Sequence, residues 1–304
     1  MNADNNPLLC DPKKGICETP NADKKTSDTS VLSNSQNNIR IVYFTDPICS
    51  SCWGIEPQLR KLKLEYGSSF EIEYRMGGLL PDWSYNSGGI SKPSDVASHW
   101  DEASYHYDMP IDGDVWLEDP LDSSYPPSIA FKAAQLQDEN QALLFLRELR
   151  EMVFLKKKNI TKWEHIAKAA EKAGLDINLL KEAYTKEGKS TFQDDLNLAQ
   201  KSGVRGFPTL FFVDQNGKQE VVYGSRPYAY YEMAMLKLNP EVEKQDYPKD
   251  WKFLFSIYSS LTAKEFSVLS GMPRKDCEAF LDNLVKDQKL DKFSSKNGSL
   301  WTKK

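Results

Sequence analysis

A chain of 304 residues exceeds one average domain, so two folded units are expected. Its 40% apolar and 27% charged residues fit a soluble globular protein, and a net charge of −5 excludes a global basic field for nucleic acid or an anionic membrane. No apolar run reaches the roughly 20 residues a transmembrane helix needs, and residues 1–38 lack the apolar segment of a secretory signal, so a cytoplasmic protein is expected.

Residues 1–38 hold few large apolar side chains and are expected to be a disordered tail. Order begins at Ile39-Arg-Ile-Val-Tyr-Phe44, a β-branched and aromatic run that predicts a buried strand. After Thr45-Asp46-Pro47-Ile48-Cys49-Ser50-Ser51-Cys52-Trp53, the spacing of Ile55, Leu59, Leu62 and Tyr66 predicts a helix, and Phe70–Met76 alternates like a second strand. Strand, helix and strand in so few residues make a βαβ unit with a parallel pair. Helical patterns follow at roughly 92–108, 127–138, 140–155, 161–173 and 176–187. Strands return at Thr209–Val213 and Glu220–Tyr223 across an Asn-Gly turn, and a helix over about 227–238 closes the unit. This order predicts an α/β thioredoxin-like sheet over 39–240, with an all-helical insertion at about 77–190. Beyond a charged linker, helices at 262–270 and 273–287 and a hairpin at 290–301 predict a winged-helix-like unit over 241–304.

The five cysteines, Cys10, Cys17, Cys49, Cys52 and Cys277, are odd in number and too few for a disulfide scaffold. Cys49-Ser-Ser-Cys52 carries the most information. It lies where a strand ends and a helix starts, so free amide groups and the helix dipole favour a thiolate at Cys49, while Cys52 waits one turn along to resolve a mixed disulfide. That chemistry calls for an exposed Cys49. A zinc site would need two further ligands; Cys10 and Cys17 are separated by six residues and His99, His106 and His165 form no ligand-spaced set, so no metal is expected. The tail pair Cys10/Cys17 is read as a second redox pair that relays electrons to Cys49–Cys52, as a metal clip, or as two thiols without a role. Cys277 falls on the apolar side of its helix, as a small buried hydrophobe. Asp46 and Glu56 are candidate proton acceptors for Cys52, against the plainer reading of helix-start and solvated charges. Trp100, Tyr105, Tyr107 and Trp116 read as aromatic core or as the wall of a substrate groove.

Phe44–Trp53, the helical insertion and Val204-Arg-Gly-Phe-Pro208-Thr209 together resemble the DsbA-like proteins of the thioredoxin superfamily, and within them the cytosolic FrnE-like dithiol–disulfide isomerases. Gly113–Tyr125 and the helix after it also resemble the YjbH/SpxH adaptors, which deliver the Spx regulator to the ClpXP protease. The resemblance implies Cys49 as attacking thiolate, Cys52 as resolving thiol and Pro208 as the cis-proline. Gly206, Phe207 and Thr209 would flank a peptide-docking edge, with Trp53 packing beside the site. It implies no cofactor beyond the Cys49–Cys52 disulfide, protein thiols or disulfides as substrates, and glutathione as a small thiol partner. Where the strongly oxidising secreted members carry Pro-His between the cysteines, this chain has Ser50-Ser51. Without a histidinium, Cys49 is expected to titrate higher and the couple to oxidise less strongly than the DsbA value of about −120 mV.

Residues 246–304 hold 11 Lys/Arg against 8 Asp/Glu, and the second helix of the winged-helix-like unit carries Asp276, Glu278, Asp282 and Asp287 beside Arg274 and Lys275. Those acids would repel phosphates, so a protein client rather than nucleic acid is expected there. The functional expectation is a thiol–disulfide oxidoreductase or isomerase acting through Cys49 and Cys52, with a redox-sensing adaptor as the alternative. A kappa-type glutathione enzyme is disfavoured by the presence of Cys52.

Overall fold

The computed structural model describes residues 10–11, 15–18, 39–84 and 92–304, with backbone alone at 10, 11 and 18. Two short strands, β1 (Cys10–Asp11) and β2 (Ile16–Glu18), precede β3 (Ile39–Thr45), α1 (Ser50–Gly54), α2 (Glu56–Tyr66) and β4 (Phe70–Met76). The helical block comprises α3 (Ser94–Tyr107), α4 (Val115–Glu118), α5 (Tyr125–Gln135), α6 (Glu139–Phe154), α7 (Trp163–Lys172), α8 (Ile177–Thr185) and α9 (Glu187–Lys201). The chain then returns through β5 (Gly206–Phe207), β6 (Thr209–Asp214), β7 (Gln219–Tyr223) and α10 (Tyr228–Leu238). It ends in α11 (Trp251–Ile257), β8 (Ser260–Thr262), α12 (Ala263–Ser270), α13 (Arg274–Lys286), β9 (Leu290–Ser295) and β10 (Gly298–Lys303).

The central sheet has the order β4-β3-β6-β7, with β3 parallel to β4 and antiparallel to β6. Every residue of β3 except Arg40 is buried, which its largely apolar sequence requires of a strand covered on both faces. The register sets Phe44 opposite Thr209 and Thr45 opposite Met76. The ends of β3 and β4 and the start of β6 therefore lie at one end of the sheet, beside the CxxC. This is a thioredoxin fold with helices inserted between β4 and β5.

The insertion extends past the expected boundary near 190, because α9 continues to Lys201. Its buried face is Gly188, Phe192, Asp195 and Ala199, so the helical period is carried by a glycine and an acid, which an apolar count overlooks. Asp195 is buried because it accepts from Arg75 (2.7 Å), the Met76 N–H (2.9 Å) and Lys132 (3.0 Å), tying α5 and α9 to the end of β4.

In the C-terminal unit α11 and β8 add to the expected elements and give the helix–strand–helix–helix–hairpin order of a winged helix. Seven and three residues are too short for a periodic signal, although Asp250 caps α11 by accepting from the Lys252 and Phe253 N–H groups. The unit has its own core of Leu254, Phe266, Leu269, Leu281 and Trp301, with Cys277 buried among them as a free thiol.

Polar attachments at several points hold this unit against the thioredoxin-fold body. Arg147 of α6 bridges both carboxylate oxygens of Glu265 at 2.8 and 3.1 Å, with Arg60 of α2 3.2 Å from the same carboxylate. Arg274 at the start of α13 pairs with Asp108 at 2.8 Å. At the tip of the β9–β10 hairpin, Lys296 pairs with Asp101 and Asp114, and Asn297 donates to Ile111 O. The hairpin tip and Arg274 are thus engaged by the body of the same chain.

The expectation of a wholly disordered tail fails at β1 and β2. β2 pairs antiparallel with β5, setting Cys17 opposite Phe207 and Glu18 opposite Gly206. A composition count sees only the tail's own apolar content; the tail instead finds a ready-made sheet edge. The other residues of 1–38 lie outside the described residues.

Candidate functional site

Cys49 is the N-cap of α1 and is joined to Cys52 by a disulfide with Cα atoms 5.2 Å apart. Its sulfur accepts the Cys52 N–H at 3.1 Å, so a free amide of the helix's first turn points at the expected nucleophile. Ser51 Oγ hydrogen-bonds Tyr107 OH at 2.8 Å. Gly54 permits this approach, since a Cβ there would stand 2.4 Å from the Tyr107 ring.

Neither cysteine is exposed. Cys49 and Cys52 each have 0% accessibility, which corrects the expectation of a solvent-facing Cys49. The cause is β2: Cys17 Sγ lies 3.4 Å from Cys49 Sγ and 3.4 Å from Ser51 Oγ. Cys17 is buried as well.

The Phe207–Pro208 bond is cis and separates β5 from β6. Phe207 is fully buried, with its ring against Gly77, where a Cβ would fall 1.8 Å from the ring tip. Thr209 Oγ1 donates to Gly206 O at 2.7 Å across the proline. The edge expected to dock peptide therefore has a strand on it already, supplied by the chain's own tail.

Asp46 accepts from the Ile48 N–H (3.0 Å), the Leu79 N–H (2.8 Å) and Ser124 Oγ (2.8 Å), which pins the loop before Cys49 to the loops after β4 and before α5. Burial raises its carboxyl to about 6, against the pull of those donors and of Arg150. Glu56 is engaged by Arg150, with Arg60 at 3.8 Å. Among the described residues neither carboxylate is hydrogen-bonded to Cys49 or Cys52. Both act as fasteners of the site in this structure.

Trp53 does not line the docking edge. It is fully buried, its indole N–H donates to Pro110 O at 3.1 Å, its ring stacks on Phe154, and the Arg147 guanidinium covers it at 4.4 Å. Trp100, Tyr107 and Trp116 are core, whereas Tyr105 is 92% exposed. Gly77, Ser124 and Arg150 complete the site and were not singled out from sequence. Each reaches it from a distant segment, and no local pattern marks them.

A family model described as Thioredoxin matches residues 43–233. The ClpXP adapter protein SpxH of Halalkalibacterium halodurans is 34% identical, over 97% of this chain and 97% of its own. SpxH of Bacillus subtilis is 28% identical over 86% of this chain and 88% of its own. Among solved structures, a putative protein disulfide isomerase from Nitrosomonas europaea superposes with a TM-score of 0.57 at 17% identity, covering 66% of this chain and 97% of that one. The cytosolic disulfide reductase DsbM of Pseudomonas aeruginosa gives 0.54 at 19%, covering 66% and 99%; both share the fold. The thioredoxin fold, the CxxC at the start of α1 and the end-to-end sequence match lead to one assignment: the chain belongs to the thioredoxin family, in the group formed by the SpxH proteins.

Proposed function

We propose that this chain is an adapter of the SpxH kind, which binds an Spx-type regulatory protein and presents it to the ClpXP protease in the cytoplasm, with Cys49–Cys52 retained as a redox-responsive pair. The observation that carries this is length. The H. halodurans SpxH match spans 97% of both chains, so it includes the C-terminal unit, whereas the disulfide-enzyme structures above reach 66% of the chain. An apolar groove of about 480 Å³ lies where the two units meet, lined by Leu59, Leu64, Leu143, Leu144, Ile257 and Tyr258. Leu144 and Ile257 are each 52% exposed there, which suits a protein client in contact with the C-terminal unit.

A second reading, thiol–disulfide oxidoreductase or isomerase, is favoured by one specific observation: Cys49 Sγ accepts the Cys52 N–H at the helix N-cap. In that reading Cys49 attacks a substrate disulfide, Cys52 resolves the mixed species, and glutathione serves as a small thiol partner.

One pair of assays separates the two. In a reconstituted reaction of ClpXP and Spx, wild type and Cys49→Ser are both expected to accelerate Spx degradation, and Leu144→Asp to weaken the acceleration. Insulin reduction by the same wild-type protein should stay near the thiol background. Insulin turnover abolished by Cys49→Ser, together with no effect on Spx degradation, would overturn the adapter reading in favour of the enzyme.

A further inference from the structure

We infer that Cys17 is the resident exchange partner of Cys49: the tail strand β2 lies on the docking edge as a built-in substrate, and the tail cysteines pass disulfide equivalents to and from the CxxC within one molecule. This rests on the exchange competence of Cys49 and names the partner and regulation of that same site.

Four observations converge on it. β2 adds to β5 in antiparallel register at the two residues before Pro208, the mode by which an extended peptide augments a sheet edge. That register sets Cys17 opposite Phe207 and leaves its sulfur 3.4 Å from Cys49 Sγ, inside the roughly 3–3.5 Å of a near-attack arrangement. The strand is seated by a built contact: Gly15 has φ +67°, Ser225 N–H donates to Gly15 O, and a Cβ on Gly15 would stand 2.9 Å from Ser225 Cβ. Finally, Cys17 is disulfide-bonded, and the residue across the β1–β2 pair from it is Cys10.

The step balances within the chain, with Cys10 taken as the partner of Cys17. The thiolate of reduced Cys49 attacks Cys17 Sγ; the Cys49–Cys17 bond forms, the Cys10–Cys17 bond breaks, and Cys10 leaves as thiolate. Cys52, losing its proton, then attacks Cys49; the Cys49–Cys52 bond forms and Cys17 leaves as thiolate. Two electrons move from the CxxC to the tail pair, and the reverse sequence returns them. While β2 is seated the Cys49 sulfur is closed to outside thiols and disulfides alike, so either must displace the strand to react with it.

Cys52→Ser removes the resolving sulfur and traps the intermediate. The full-length variant, checked by circular dichroism, is reduced, freed of reductant and oxidised gently with oxidised glutathione. It is then alkylated and digested with trypsin without reduction. Cleavage places Cys10 in peptide 1–13, Cys17 in 15–24 and Cys49 in 41–60. The expected product is 15–24 linked to 41–60. Adding Gly15→Val, which unseats the strand, should shift Cys49 several-fold from that link toward its glutathione adduct. A glutathione adduct on 41–60 with no link to 15–24 would overturn the inference while leaving Cys49 competent for exchange. An unchanged link yield in the Gly15→Val variant would overturn the docked-strand basis. A peptide 41–60 carrying neither glutathione nor a link would overturn the exchange reading together with the inference.

Discussion

Glu265→Ala is expected to destabilise the fold by about 3–5 kcal/mol, the cost of leaving a buried charge without its partner. Glu265 has 0% accessibility and faces Arg147, itself only 8% exposed, through two hydrogen bonds of 2.8 and 3.1 Å. Burial works against ionising Glu265, but Arg147 and Arg60 prevail and hold its carboxyl below the ordinary range. The same side chain closes a capping box on α12, accepting the Thr262 N–H at 2.8 Å while Thr262 accepts the Glu265 N–H at 3.2 Å. Removal therefore breaks the bridge between the units and frays a helix start at once. Chemical denaturation should show the C-terminal unit melting ahead of the thioredoxin-fold body in the variant. Because the folded carboxyl is depressed, the stability it supplies is present above the unfolded value near 4.5 and lost as pH falls through the folded one. A loss below about 1 kcal/mol would mean that Glu151, 2.8 Å from Arg147, suffices to hold that cation and the bridge is dispensable.

Asp46→Ala should cost about 2–4 kcal/mol, because the Ile48 and Leu79 amides and the Ser124 hydroxyl lose their acceptor in a dry site. The cost should depend on pH in a definite direction. Burial raises the folded carboxyl to about 6 from 3.8, so its favourable contribution is fullest below about 4 and is lost as pH rises through 6. The gap between wild type and variant should therefore widen by about 1 kcal/mol on going from pH 7.5 to pH 5. Urea titrations at the two pH values measure it. A gap that narrows toward pH 5 would show the folded Asp46 carboxyl to be depressed rather than raised.

The parts of this molecule with local signatures were readable in sequence. β3 announces itself by a run of apolar residues broken only at Arg40, the CxxC by its place between strand and helix, and the cis-proline by Gly206-Phe207-Pro208-Thr209 ahead of a strand. What escaped depends on residues that meet only after folding. Arg147 and Glu265 are 118 residues apart, and nothing near either foretells the pair. Ser124 reaches Asp46 across 78 residues. β2 was hidden for another reason: three residues cannot fold alone, and Cys17 is placed by its pairing with β5 and its contacts to Cys49 and Ser51. The exposure expected of Cys49 failed because a strand with too few apolar residues to persuade a composition count lies over its sulfur.

The order β8-β10-β9 has a mechanical consequence. The final strand is laddered on both sides, Leu300 to Trp301 meeting Thr262 and Leu261 on one flank and Phe293 and Lys292 on the other. Tension applied at the carboxyl end must tear both ladders before it loads the Arg147 anchor on Glu265, so this terminus is among the last places of the unit to give way under load.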